Sequence, residues 1–189
     1  MSKKEKTKQE KRQWVVTVVI LSFVLSVVMS VLTSLFVDSA GLLVALVALI
    51  VLISIGVITD VIGTAVTSAD EQPFIAMASK RIWGAKQALQ LIRKAERVSS
   101  LLNDVVGDIV GVVSGSAGSV IALHLASMGL PTAAASVLIA AFTSSFMIGG
   151  KAAGKSIAIE NSASIVLFVG KAMALFENKK PKRKKKKKN

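Results

Sequence analysis

WVVTVVILSFVLSVVMSVLTSLFV, residues 14–37, runs without a charged side chain between the basic stretch Lys3–Arg12 and Asp38. In hydrocarbon the backbone must satisfy its own hydrogen bonds, and a helix of about 20 apolar residues crosses a bilayer core. Trp14–Val37 therefore reads as a membrane-spanning helix. Its basic flank mimics a secretory signal. The run is too long for the usual apolar region of such a signal, however, and Val37-Asp38-Ser39-Ala40 is a weak cleavage site. It is taken as an uncleaved first span with its N-terminus inside.

The same reading extends along the chain. Leu42–Thr59 and Ile109–Gly150 are also free of Lys, Arg, Asp and Glu, the second run being broken near Gly129-Leu130-Pro131. The 24 Lys and Arg residues lie in three stretches between these runs: Lys3–Arg12, Lys80–Arg97 and Lys151–Lys188. Basic residues stay on the cytoplasmic side, and four spans place all three stretches there. The expected fold class is an all-α integral membrane protein, with four transmembrane helices plus amphipathic interfacial helices. A multi-pass plasma-membrane protein with cytoplasmic N- and C-termini follows.

Composition narrows the function. The chain has 189 residues, 52% of them hydrophobic, and a mean hydropathy of +0.63. A net charge of +13 would suggest nucleic acid in a soluble chain. Beside membrane spans, the bilayer and its anionic inner-leaflet lipids are the nearer partner, and no specific nucleic acid is expected. The absence of Cys and Tyr and a single His leave little material for nucleophilic or acid–base chemistry. An enzyme is not expected.

Expected boundaries are a basic cytoplasmic tail at 1–13, the added first span at 14–37, a transmembrane domain at 40–176 and a polybasic tail at 177–189. Within the domain, spans are expected at about 41–68, 100–128 and 131–150. Ile75, Ala78, Ile82, Ala85, Leu89 and Ile92 recur at three- and four-residue steps, with Lys80, Lys86, Arg93, Lys94 and Arg97 on other faces. That pattern predicts an interfacial helix over about 72–98, with Pro73 in its first turn. A second interfacial helix is expected at about 157–176, because a fifth span there would carry the Lys179–Lys188 run outside.

Ionisable residues inside spans are expensive and mark function by default. Asp60 shares a helical face with Gly56, Gly63 and Thr67. On the third span Asn103, Gly107, Gly111 and Gly115 recur every four residues, a ladder that admits a close helix neighbour. Asp104 and Asp108 form a second row beside it. Carboxylates, an amide and hydroxyls make a hard-oxygen set suited to Mg²⁺, Ca²⁺ or Na⁺. Asp60, Asn103, Asp104 and Asp108 are thus candidate metal ligands, with Mg²⁺ or Na⁺ as the bound or transported ion and no organic cofactor. For Asp104 alone, a place in the first turn of the third span, offsetting the helix dipole, is the simpler reading. A buried Asp60–Lys151 ion pair is a structural alternative. His124 is read as a packing residue.

From Ile58 onward the order of features resembles the transmembrane domain of the cyclin-M/CorC (CNNM) family. Gly63–Ser68 is similar to that family's small-residue end of a core span. Ala85–Val98 looks like its A-x-x-A-L-x-L-x-x-x-x-E-R run, and Gly150–Ser156 like its G-E-x-x-P-K motif. The resemblance spans roughly 120 residues, lacks the family's CBS and C-terminal domains, and does not include Trp14–Val37. It implies Mg²⁺ transport by a homodimer, which the glycine ladder permits. It also implies a cation held near Asp60, near Asn103 or Asp104 (with Asp108 within the uncertainty of register), and at the motif glutamate. Here Lys151 stands where the family has that glutamate, and Gly154 where it has proline. A cation at that point repels a bound metal by several kcal/mol where solvent is scarce. Two functions follow: passage of a hard cation, or a non-transporting scaffold or regulator with a degenerate ion site and a tail that docks on lipid or a partner.

Overall fold

The computed structural model describes residues 3–33 and 41–178. Among them the chain is helical throughout, with short turns and no strand. Four helices are long and apolar enough to cross a membrane. They are α1 (Lys3–Thr33), α2 (Leu42–Ser68), the continuous run from α5 (Ala95–Ser99) through a π-helical segment (Ser100–Val106) into α6 (Gly107–Ser127), and α7 (Thr132–Glu160). Three shorter helices complete the fold: α3 (Glu71–Ser79), α4 (Ala85–Arg93) and α8 (Ser162–Asn178). The expected turn at Asp38-Ser39, the cleavage-site stretch and the tail Lys179–Lys188 lie outside the described residues.

α2, α6 and α7 pack on one another as a three-helix core, and α1 leans on α6 from outside. Trp14, Val18, Leu25 and Met29 form the half-buried stripe of α1 at helical spacing, while its other faces are exposed. At its start, the Arg97 guanidinium lies 5.4 Å from the Trp14 ring centroid. This cation–π contact ties α1 to α5. Gly129, at φ +104, closes α6 in a left-handed cap: Leu130 N–H reaches back to the Leu125 carbonyl at 3.3 Å and Gly129 N–H to that of Ala126 at 3.0 Å.

Two sequence expectations change. The interfacial helix expected over 72–98 is three short helices. Asp70 caps α3 by accepting from Gln72 N–H at 3.2 Å, and Pro73 sits in its first turn. The chain then turns at Lys80–Gly84, where Arg81 (φ 54) and Gly84 (φ 83) are both left-handed. The apolar period runs across this turn because α3 and α4 contribute to one cluster, in which Phe74 and Ala88 are fully buried with Val66 and Val166. The break expected after residue 150 is also absent, and α7 continues to Glu160. Gly150 and Gly154 hold it against α2: a Cβ on either would come within 2.7 and 2.6 Å of Val57 and Val61 methyls. Glycine weakens a free helix, yet here it permits the contact that keeps the helix in place. α8 follows at once and packs on α4 and α2.

Candidate functional site

α2 changes character along its length. Its buried residues are Ala45, Leu49 and Leu52 in the first half, then Gly56, Asp60, Gly63 and Thr64 before the apolar Ala65 and Val66. This polar stretch lies between two apolar clusters, one around Leu49, Val113 and Ile121, the other around Val66, Phe74 and Val166. Small residues let neighbours close in. A Cβ on Gly56 would lie 3.3 Å from Val110 and 3.5 Å from Met147, so α6 and α7 both press on this position. A Cβ on Gly63 would overlap the Asn103 carboxamide, 2.8 Å from its Cγ. Asn103 is seated on a glycine.

Asn103 belongs to the π-helical segment, whose wider turn recurs at functional sites. Its Nδ2 donates to Ser99 Oγ at 3.3 Å, while its Oδ1 is buried without a partner. Asp60 stands one turn along α2 from Gly63, 8% exposed, and its Oδ2 is also buried without a partner. Two oxygen acceptors, one of them on a carboxylate, are thus buried with no donor, Asn103 Oδ1 where the π segment meets Gly63 and Asp60 Oδ2 one turn away on α2. Such groups are costly to leave unmatched, by several kcal/mol for a charge. The third buried oxygen in this condition, Ser114 Oγ, lies farther along α6.

Among the expected ligands, Asn103 lies against Gly63 and Asp60 is buried one turn away on α2, whereas Asp104 and Asp108 are exposed. No three His, Cys, Asp or Glu side chains among the described residues come together as a metal cluster. Lys151 is half-buried on α7, and its Nζ is 3.3 Å from where a Cβ on Gly107 would lie, one turn beyond Asn103. It does not pair with Asp60. The ion pair among the described residues is Arg93–Glu71, at 2.7 Å. The glycine ladder is divided: Gly107 meets Lys151, Gly111 meets Met147 at 3.8 Å, and Gly115 is open. Gly111, Gly115, Ser119, Thr143 and Lys151 line a cavity of about 380 Å³ between α6 and α7. Thr143 spends its hydroxyl on the Ile139 carbonyl at 2.8 Å. His124 Nδ1 lies 3.0 Å from the Val120 carbonyl, within its own helix.

Comparison with protein families, characterised proteins and solved structures gives no match to this chain. Three features escaped the sequence reading. The seating of Gly150 and Gly154 on Val57 and Val61 has a legible signal, since a small-xxx-small pair on one span and β-branched residues at i, i+4 on another are complementary. The Asn103–Gly63 contact and the π segment have none, because both depend on helix register.

Proposed function

We propose that this chain is a multi-pass membrane protein that binds or passes a hard cation, Mg²⁺ first, at the seam between α2 and the π-helical start of α6. The observation that carries this reading is the pair of buried, unpartnered oxygens on Asp60 and Asn103. Mg²⁺ keeps several waters and is held by one or two carboxylates plus neutral oxygens. Asp60 would supply the charge and the Asn103 carbonyl a neutral ligand, with waters completing the shell. Asp104 and Asp108, exposed near the start of the third span, would attract the cation to that end rather than hold it. Both termini would lie on the side that carries the basic stretches.

A second reading, a non-transporting scaffold, draws its support from Lys151. Its ammonium beside Gly107 puts a fixed positive charge next to the seam, which disfavours a bound cation. One experiment separates the two. The chain is reconstituted in liposomes holding a Mg²⁺-sensitive dye. Flux in the parent that Asp60→Asn abolishes supports transport. Equal flux in both rejects the site. Silence in the parent with flux in Lys151→Glu supports a scaffold silenced by its own lysine.

A further inference from the structure

The turn between α3 and α4 is built to present its side chains outward. Arg81 takes a left-handed conformation that non-glycine residues adopt rarely. Gly84 follows with φ +83, and α8 crosses it so closely that a Cβ there would lie 2.6 Å from the Lys171 nitrogen and 2.7 Å from its Cγ. Phe74, Ala85 and Ala88 are fully buried on either side of the turn, which fixes it in place. At its tip Ile82 is 42% and Trp83 51% exposed. A tryptophan and an isoleucine held outward by a strained, anchored turn are not filling a core.

Cations surround this apolar tip. Lys80, Arg81 and Lys86 are exposed, and the Lys171 stem lies over Gly84. None of the four is in an ion pair among the described residues. Tryptophan favours the headgroup level of a bilayer, where its ring is covered and its N–H stays wet. Basic side chains there attract anionic lipid. An exposed aromatic tip ringed by unpaired cations matches a surface that is apolar below and anionic above.

We propose that the Lys80–Lys86 turn, with Lys171, is a docking site for the anionic phospholipid surface: Ile82 and Trp83 enter the headgroup layer while Lys80, Arg81, Lys86 and Lys171 bind lipid phosphates. This site is separate from the Asp60–Asn103 seam and does not depend on the cation reading.

The chain has two tryptophans, so Trp14→Phe leaves Trp83 as the sole reporter. The full-length variant is reconstituted in zwitterionic bilayers containing increasing fractions of anionic phospholipid. Trp83 is read by acrylamide quenching from water and by lipids brominated near the headgroup. As anionic lipid rises, Trp83 loses acrylamide quenching and gains bromine quenching. Lys80→Gln, Arg81→Gln and Lys86→Gln each weaken the response about fivefold, whereas Lys80→Arg leaves it unchanged. Two results overturn the proposal. Trp83 remaining open to acrylamide at every composition is what a turn reserved for an acidic protein partner gives. Bromine quenching that ignores anionic lipid and the glutamine variants would mean apolar insertion without phosphate recognition.

Discussion

Replacing Gly170 with alanine should unseat α8. A Cβ at this position would lie 2.5 Å from the Gly84 carbonyl oxygen and 2.8 Å from both the nitrogen and the Cβ of Ala88. Carbon and carbonyl oxygen rest about 3.3–3.6 Å apart in contact, so α4 and α8 must part by about 1 Å. Two of the three obstructing atoms belong to backbone, and no rotamer change relieves them. A gap of that size forfeits about a quarter to a half of the local dispersion energy, and overpacking of this kind costs about 1–3 kcal/mol. If α8 docks and undocks as a unit, its undocked population rises about 5- to 150-fold. The chain has no cysteine, so Ala174→Cys, at a position 6% exposed on α8, gives a single reporter. Its rate of maleimide modification should rise by that factor when Gly170→Ala is added. Gly84→Ala acts on the same crossing and adds about 1–3 kcal/mol of left-handed strain. The double variant should therefore fall short of the sum of the two. An unchanged labelling rate in Gly170→Ala, or strict additivity with Gly84→Ala, would refute the crossing.

Other substitutions test other seams. Gly63→Ala should destabilise the chain by about 1–3 kcal/mol through overpacking against Asn103, and Asn103→Ala should restore much of that loss, read as a coupling in thermal unfolding. Gly154→Ala should be relieved by Val61→Ala, because the added methyl meets a Val61 methyl; the rescue is measured the same way. Asp60→Asn should leave thermal stability equal or higher, since it removes a buried charge without a partner, while abolishing cation flux in the liposome assay. Arg97→Ala should weaken the docking of α1 by about 0.5–1 kcal/mol, seen in Trp14 emission in a Trp83→Phe background.

The long apolar helices were legible because hydropathy survives any tertiary arrangement: Trp14–Val37, Leu42–Thr59 and Ile109–Gly150 each lack charge whatever they touch. What failed was punctuation. The turn at Lys80–Gly84 was hidden because Ile75, Ala78, Ile82 and Ala85 keep a helical step across it. A left-handed Arg81 is a choice made by packing, not by propensity. The continuity of α7 was missed for the opposite reason. The uncharged run ends at Gly150 and a basic stretch opens at Lys151, so the span was expected to stop there, yet Gly150 and Gly154 are seats for Val57 and Val61. At the site, Asp60 stood out by its charge alone, and Asn103 by its place in the small-residue ladder. The seating of Asn103 on Gly63, one turn from Asp60, and the exposure of Asp104 and Asp108 rest on helix register, which no local pattern fixes.

The placement of Asp60 bears on why the seam exists at all. The apolar cluster around Leu49 and Val113 and the one around Val66 and Phe74 could in principle be joined by one more apolar turn of α2. Leucine at position 60 would remove the penalty of an unpartnered carboxylate, and replacing buried charge by apolar volume is often neutral or stabilising. The chain instead places Gly56, Asp60 and Gly63 in succession, and sets the amide of a π-helical turn, Asn103, against Gly63. Each departs from what packing alone favours, since glycine weakens the helix, the π turn loosens its hydrogen-bond ladder, and the carboxylate is unpaired. The glycines are offset by the neighbours they admit, Val110 and Met147 at Gly56 and the Asn103 carboxamide at Gly63, whereas no contact offsets the unpartnered carboxylate, which on the proposed reading is kept for a ligand. Lys151 sharpens the point. It reaches Gly107, one turn beyond Asn103, without pairing with Asp60. On the proposed reading, the balance between these two charges sets whether a cation enters, and Asp60→Asn and Lys151→Glu push that balance in opposite directions.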